Sequence, residues 1–126
     1  MRLEALQSRF FMCRWPANAA VPAWVWEPTL IFAARTAEEL SLMLPAETCQ
    51  RLDAPRREGP WRGFRIAEPL NFDMVGILAQ ISRVLAEAGI PLLAISTFDT
   101  DYVWVPAEQW GKAVEALTEA GYQWGE

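Results

Sequence analysis

Two short segments carry most of the side chains whose types and spacing could do chemistry. The first is Leu70-Asn71-Phe72-Asp73-Met74-Val75-Gly76-Ile77. It leads from an alternating apolar stretch into a helical period, so Asp73 stands where a helix begins. The first amides of a helix have no acceptor within it, and the helix dipole makes that end positive. Such a turn suits an anion, and a carboxylate in particular. Gly76 lets a ligand or a neighbouring backbone come close. Asp73 also has a simpler use, because its carboxylate can cap those same amides. The second segment is Ile95-Ser96-Thr97-Phe98-Asp99-Thr100-Asp101. Its two carboxylates and three hydroxyls could hold an ammonium or a guanidinium. Asp and Thr are equally ordinary turn formers. Acid-base work by Asp73, Asp99 or Asp101 would need a nucleophile and a water-excluding cleft, and the sequence points to neither.

Other chemistry is narrowed by composition. The 126 residues include no histidine, which removes Ser-His-Asp and Cys-His nucleophiles and His-ligated zinc. Cys13 and Cys49 are too few for a disulfide framework or a four-ligand metal site. They read as buried thiols of a reducing compartment rather than as a bridge. No phosphate loop and no dinucleotide-binding glycine pattern is present, so no cofactor and no metal is expected. Lys and Arg total 11 against 16 Asp and Glu, a net charge of -5. That sign is wrong for neutralising phosphates, so nucleic acid is not an expected partner. Seven tryptophans then read as core and interface packing rather than as base-stacking platforms.

The elements that must position the two segments follow from periodicity. Trp61 to Leu70 reads as a strand. Met74, Leu78, Ile81, Leu85 and Ala88 lie one above another on a helix that Gly89 and Pro91 end. Leu92 to Phe98 and Asp101 to Val105 read as a hairpin. Pro106 opens a helix with Trp110, Ala113, Val114 and Leu117 on its apolar side, Gly121 closes it, and Tyr122 to Trp124 adds a short strand. The order β-α-β-β-α-β predicts an α+β fold, a ferredoxin-like sheet with both helices on one face. Leu92 to Ile95 and Tyr102 to Val105 are apolar on both sides, so both sheet faces are expected to be covered, the second by the other half of this chain or by another chain.

The chain repeats itself at an offset of 61. Leu44-Pro45-Ala46-Glu47 falls on Val105-Pro106-Ala107-Glu108, Thr36 on Thr97, and Leu3 on Phe64. A degenerate copy over 1-60 and a complete one over 61-126 are expected, joined through Asp53 to Pro60, which reads as a linker. In the first copy Leu3 to Cys13 is strand-like. Pro16 and Pro22 allow at most a short helical turn before the hairpin of Thr29 to Ala34 and Leu40 to Leu44. No apolar run approaches the ~20 residues that span a bilayer, and Met1 to Ala5 lacks a secretion core. A cytoplasmic protein with no membrane association is expected.

The two segments together, with Ala88-Gly89-Ile90-Pro91 between them, resemble an ACT domain. They are most similar to the paired-ACT group of aspartate kinase regulatory regions and cytosolic arginine sensors. The resemblance runs from Trp61 to Trp124 and is weaker over the first copy. It implies two tandem ACT units and a non-enzymatic regulatory module that binds an amino acid where two units meet. It also implies a homodimer and an effect exerted through a protein partner. The family's D-x-P-G turn corresponds to Asp73-Met74-Val75-Gly76, with Val75 in place of proline. On this resemblance the amides of Met74, Val75 and Gly76 meet the ligand's carboxylate, with Ile77 adjoining. Asp73 faces its ammonium, and Ser96, Thr97 and Phe98 of a neighbouring unit, with Asp99 and Asp101 beyond them, line the other wall. The first copy has no such turn, which implies one site per chain. A structural or interaction module with a decayed ligand site is the other reading, and there Met74 or Phe98 would fill the pocket.

Overall fold

A computed structural model describes residues 1–68 and 75–125. Among these residues the chain runs β1 (Arg2–Ala5), β2 (Phe10–Trp15), a 3-10 turn (Ala23–Trp26), β3 (Phe32–Arg35), β4 (Leu40–Pro45) and α1 (Ala46–Gln50). It continues with β5 (Arg56–Ile66), α2 (Ile77–Glu87), β6 (Leu93–Ser96), β7 (Asp101–Pro106), α3 (Trp110–Glu119) and β8 (Gln123–Gly125). Two units result. One is Met1–Gln7 with Trp61–Glu126, the other Ser8–Pro60.

In the first unit the strands lie in the order β6-β7-β5-β1-β8, all antiparallel neighbours except the parallel pair β1 and β8. The expected βαββαβ order is present from β5 to β8. Alternation puts Phe64 and Ile66 of β5 and Val103 and Val105 of β7 on the face that α2 and α3 cover. Ile81 and Leu85 of α2 and Ala113 and Leu117 of α3 meet them there, all fully buried. Leu78, Ala88 and Trp110 pack around this core as half-buried neighbours, while Met74 lies outside the described residues.

Both long helices end in the same way. Gly89 and Gly121 are left-handed, at φ 75° and 101°. Ile90 N–H reaches back to the Leu85 carbonyl at 2.9 Å and Gly89 N–H to that of Ala86 at 2.9 Å. Tyr122 and Gly121 do the same with Leu117 and Thr118, each at 3.0 Å. These are Schellman ends, which need glycine at the left-handed residue.

β7 is buried on both sides, since Val103, Trp104 and Val105 are each 0% exposed. Trp104 is thus covered within the single chain. Its indole lies against Gly63, where a Cβ would come within 2.4 Å of the ring. A glycine in mid-strand here makes room for the ring.

In the unit Ser8–Pro60 the strand order is β3-β4-β2-β5. The βαββαβ order recurs with its first helix reduced to the four-residue 3-10 turn Ala23–Trp26, as Pro16 and Pro22 dictate. Cys13, Val25, Leu40, Leu42, Leu44 and Cys49 form its core. The two hairpins match residue for residue. Adding 61 to Phe32–Arg35 and Leu40–Pro45 gives Leu93–Ser96 and Asp101–Pro106. The register agrees as well, Phe32 facing Met43 as Leu93 faces Trp104.

Three boundaries differ from the sequence reading. The strand expected over Leu3 to Cys13 is broken at residues 6–9, and its first part serves the other unit. Leu3 does not take the place of Phe64. It pairs with Ile66 and Trp124, and Phe10, opposite Pro45, stands where Trp61 stands opposite Pro106. The phase of the repeat slips because the first copy has lost its long helix. Second, the expected linker 53–60 is strand from Arg56 onward, since lying beside β2 fixes a backbone whose Pro and Gly content suggests a loop. Third, α2 begins at Ile77 and not at Asp73. Gly76 is left-handed at φ 81°, and a right-handed helix cannot run through such a residue.

Candidate functional site

Strand direction decides what meets at one end of the first unit. β5 and β7 are antiparallel, so the C-terminal end of β5 lies beside the start of β7 and the turn before it. The helices that follow these strands run in opposite senses, which sets the start of α2 beside the end of α3. β1 runs against β5 and brings Met1 to the same end. Ile66, Gly76 and Ile77, the turn Thr97–Thr100, Tyr122 and Met1 therefore lie at one end of the unit.

The turn is built by threonine. Thr97 N–H donates to the Thr100 carbonyl at 2.8 Å, and Thr100 N–H donates to Thr97 Oγ1 at 3.3 Å. Thr36 does the same work in the other hairpin, where its N–H donates to the Glu39 carbonyl at 2.8 Å and its hydroxyl oxygen accepts from Glu38 and Glu39 amides at 3.1 Å. Thr100 adds a contact that Glu39 cannot. Its buried hydroxyl donates to the Ile66 carbonyl at 2.8 Å, tying the turn to the end of β5. Ser96 Oγ donates to the Asp101 carboxylate across the hairpin.

The expected ligand residues divide accordingly. Asp73 and Met74 lie outside the described residues. Val75 is 90% exposed, and Gly76 is exposed beside it. No atom of the described residues stands within 4 Å of the position a Gly76 Cβ would take. Ile77 is half-buried and opens α2, where Gln80 N–H is the first to reach back, to the Gly76 carbonyl at 3.0 Å. The amides of Ile77, Leu78 and Ala79 thus have no acceptor within the helix. The residue at the N-cap position is Gly76, which has no side chain to cap this end.

On the hairpin side Ser96, Thr97, Phe98 and Asp99 are exposed and Asp101 is half-buried. Thr97 is occupied in the turn and Asp101 with Ser96. Phe98 is 79% exposed and so does not plug a cavity. Sequence reasoning passed over Thr100 as a site-positioning residue, although the match of Thr97 with Thr36 marked the turn. It also passed over a recess of about 230 Å³ lined by Met1, Ile77, Gln80, Ala120, Gly121 and Tyr122. Ile77 is the member common to both sets. Burial raises the Tyr122 phenol above its ordinary range. No pattern could have found this recess, because three distant segments form it. Among the described residues no group of three or more His, Cys, Asp or Glu side chains could hold a metal, and no helix is long and apolar enough to cross a membrane.

Comparison with known proteins agrees with this architecture. Over 115 residues, the chain is 35% identical to the cytosolic arginine sensor for mTORC1 subunit 1 of Pongo abelii, covering 86% of this chain and 35% of the relative. The human protein of that name is 47% identical over 58 residues, 45% of this chain and 18% of the relative. The chain thus spans about a third or less of the length of these relatives. Among solved structures, protein Atu0741 of Agrobacterium tumefaciens superposes with a TM-score of 0.86 at 28% identity, covering 98% of this chain and 91% of that one. The regulatory subunit of aspartate kinase from Thermus flavus shares the fold at a TM-score of 0.66 and 11% identity, with 94% and 95% covered. The family model for the ACT domain matches residues 56–119, and the chain belongs to the ACT domain family.

Proposed function

We propose that this chain is a non-enzymatic regulatory module that binds a free amino acid. The observation that supports the reading is that the α2 start and the Thr97–Thr100 turn lie at the same end of the sheet, where the Thr100 hydroxyl donates to the Ile66 carbonyl. Helix amides without intrahelical acceptors suit a carboxylate. The carboxylates of Asp99 and Asp101, with Asp73, offer partners for an ammonium. Val75, Gly76 and Ile77 form one wall, Ser96, Thr97 and Phe98 the other, and Met74 completes the first. The sensor named among the relatives, a cytosolic arginine sensor, supports an amino acid as the ligand class. The module acts in the cytoplasm as a homodimer on a protein partner. A ligand then moves that partner only by binding two states with different affinity.

Exposed Phe98 counts against a decayed site, since it does not fill the space a ligand would take. The deciding experiment is thermal unfolding of the full chain against a panel of free amino acids. A ligand at 100 times its dissociation constant adds ~2.7 kcal/mol, a shift of several degrees. Ser96→Trp, a bulky change at an exposed position, is expected to remove that shift and leave the unliganded midpoint in place. A flat panel with the wild type overturns the proposal.

A further inference from the structure

We propose that Cys13 and Cys49 are a latent disulfide of the unit Ser8–Pro60, closed by exchange with a small-molecule disulfide. The two sulfurs lie 3.0 Å apart in a hydrogen bond, both residues are fully buried, and both thiols are free. A disulfide bond is ~2.05 Å long, so closing it asks the sulfurs to approach by about one ångström. Cys13 sits on β2 and Cys49 on α1, and each belongs to the same core. Core packing alone would be served by two small apolar side chains. It does not call for two thiols in contact with each other.

The surroundings set how the pair reacts. Burial, followed by the contact with Cys49, pushes the Cys13 thiol up to about 12. Cys13 is therefore held as the thiol, and burial of both sulfurs keeps a small disulfide from reaching them while α1 is seated. α1 has five residues, too few to be stable by itself, so local lifting of α1 is the route to the sulfurs. Once lifted, one of the two cysteines ionises and attacks a sulfur of the small disulfide, releasing one small thiol and leaving a mixed disulfide. The second cysteine, as thiolate, then attacks the protein-side sulfur and releases the other small thiol. The protein pair is oxidised by two electrons and the small disulfide is reduced to two thiols. The new bond spans 36 positions of sequence and restricts the unfolded chain.

The test incubates the full reduced chain with oxidised glutathione, quenches with acid, and alkylates remaining thiols in denaturant before intact-mass analysis. The expected product is lighter than the reduced chain by two hydrogens, takes up no alkylating agent, and melts ~10 °C higher. Dithiothreitol is expected to reverse all three, and Cys49→Ala to retain one thiol that ends as a glutathione adduct or alkylated. A wild-type product that keeps both thiols overturns the proposal. So does one that stops at the glutathione adduct or links two chains.

Discussion

Leu3→Ala tests whether β1 is part of the core of the second half of the chain. Leu3 is 0% exposed, faces Ile66 on one side and Trp124 on the other, and sits in the cluster with Phe64, Leu85 and Leu117. Three carbons are lost, a transfer cost of ~2.4 kcal/mol at ~0.8 per methylene. The cavity adds to this, and β1 is held between β5 and β8, so its backbone cannot move in to fill the gap. A total of ~3–4 kcal/mol follows, within the range for buried leucines. The other tie of β1 is weaker, a Glu4–Arg65 ion pair at 3.1 Å with both side chains about a third exposed (33% and 34%). Such pairs contribute ~0–1 kcal/mol, so Leu3 dominates. Urea unfolding gives the magnitude, and native-state hydrogen exchange gives the place. Amides of β5 beyond Trp61 and of β8 are expected to lose protection, while the β3–β4 hairpin keeps it. A loss under ~1 kcal/mol, or loosening confined to β3–β4, refutes the assignment of β1.

Three further outcomes are expected. Thr100→Val keeps the shape but leaves the Ile66 carbonyl unmet, costing ~1–3 kcal/mol in urea unfolding; an unchanged midpoint would remove Thr100 from the site's framework. Gly111→Ala, at an open position in the first turn of α3, is expected to stabilise by up to ~1 kcal/mol, whereas Gly89→Ala at φ 75° is expected to destabilise by ~1 kcal/mol; equal effects in a thermal melt would contradict the Schellman assignment. Alkaline stability is expected to fall between pH 9.0 and about 12, because the unfolded Cys13 thiol ionises at its ordinary value while the folded one does not. Cys13→Ala is expected to flatten that part of the profile, and an unaltered slope would show that Cys13 does not cause it.

The hairpins were legible because their signals are local. Thr36 and Thr97 announce the same turn, and β-branched and apolar residues follow in the right period. The helix ends at Gly89 and Gly121 were legible for the same reason. The start of α2 was not, since Asp73 has the side chain of a cap and the left-handed φ of Gly76 shows only in three dimensions. The place of β1 was hidden more deeply. Nothing in Arg2–Ala5 says which of the two units its backbone will join, and the repeat itself pointed to the wrong one. Of the candidate site, the two segments were found, but Thr100's hold on Ile66 joins distant residues and has no local pattern.

The parallel pairing of β1 with β8 bears on how the molecule comes into being. Arg2 lies beside Gln123, and Met1 accepts a hydrogen bond from Gln123 N–H at 3.1 Å. A ribosome delivers β1 before almost everything it will pack with. The slot between β5 and β8 cannot exist until β8 has left the exit tunnel. Throughout that interval Leu3 has no home, and the nascent first copy carries a spare strand with open edges, the kind of segment that pairs with strangers. Closing such a distant contact late also slows folding. Synthesis rate and chaperone occupancy until β8 emerges thus become determinants of yield, and a chain truncated before Gln123 would leave β1 without its parallel neighbour for good.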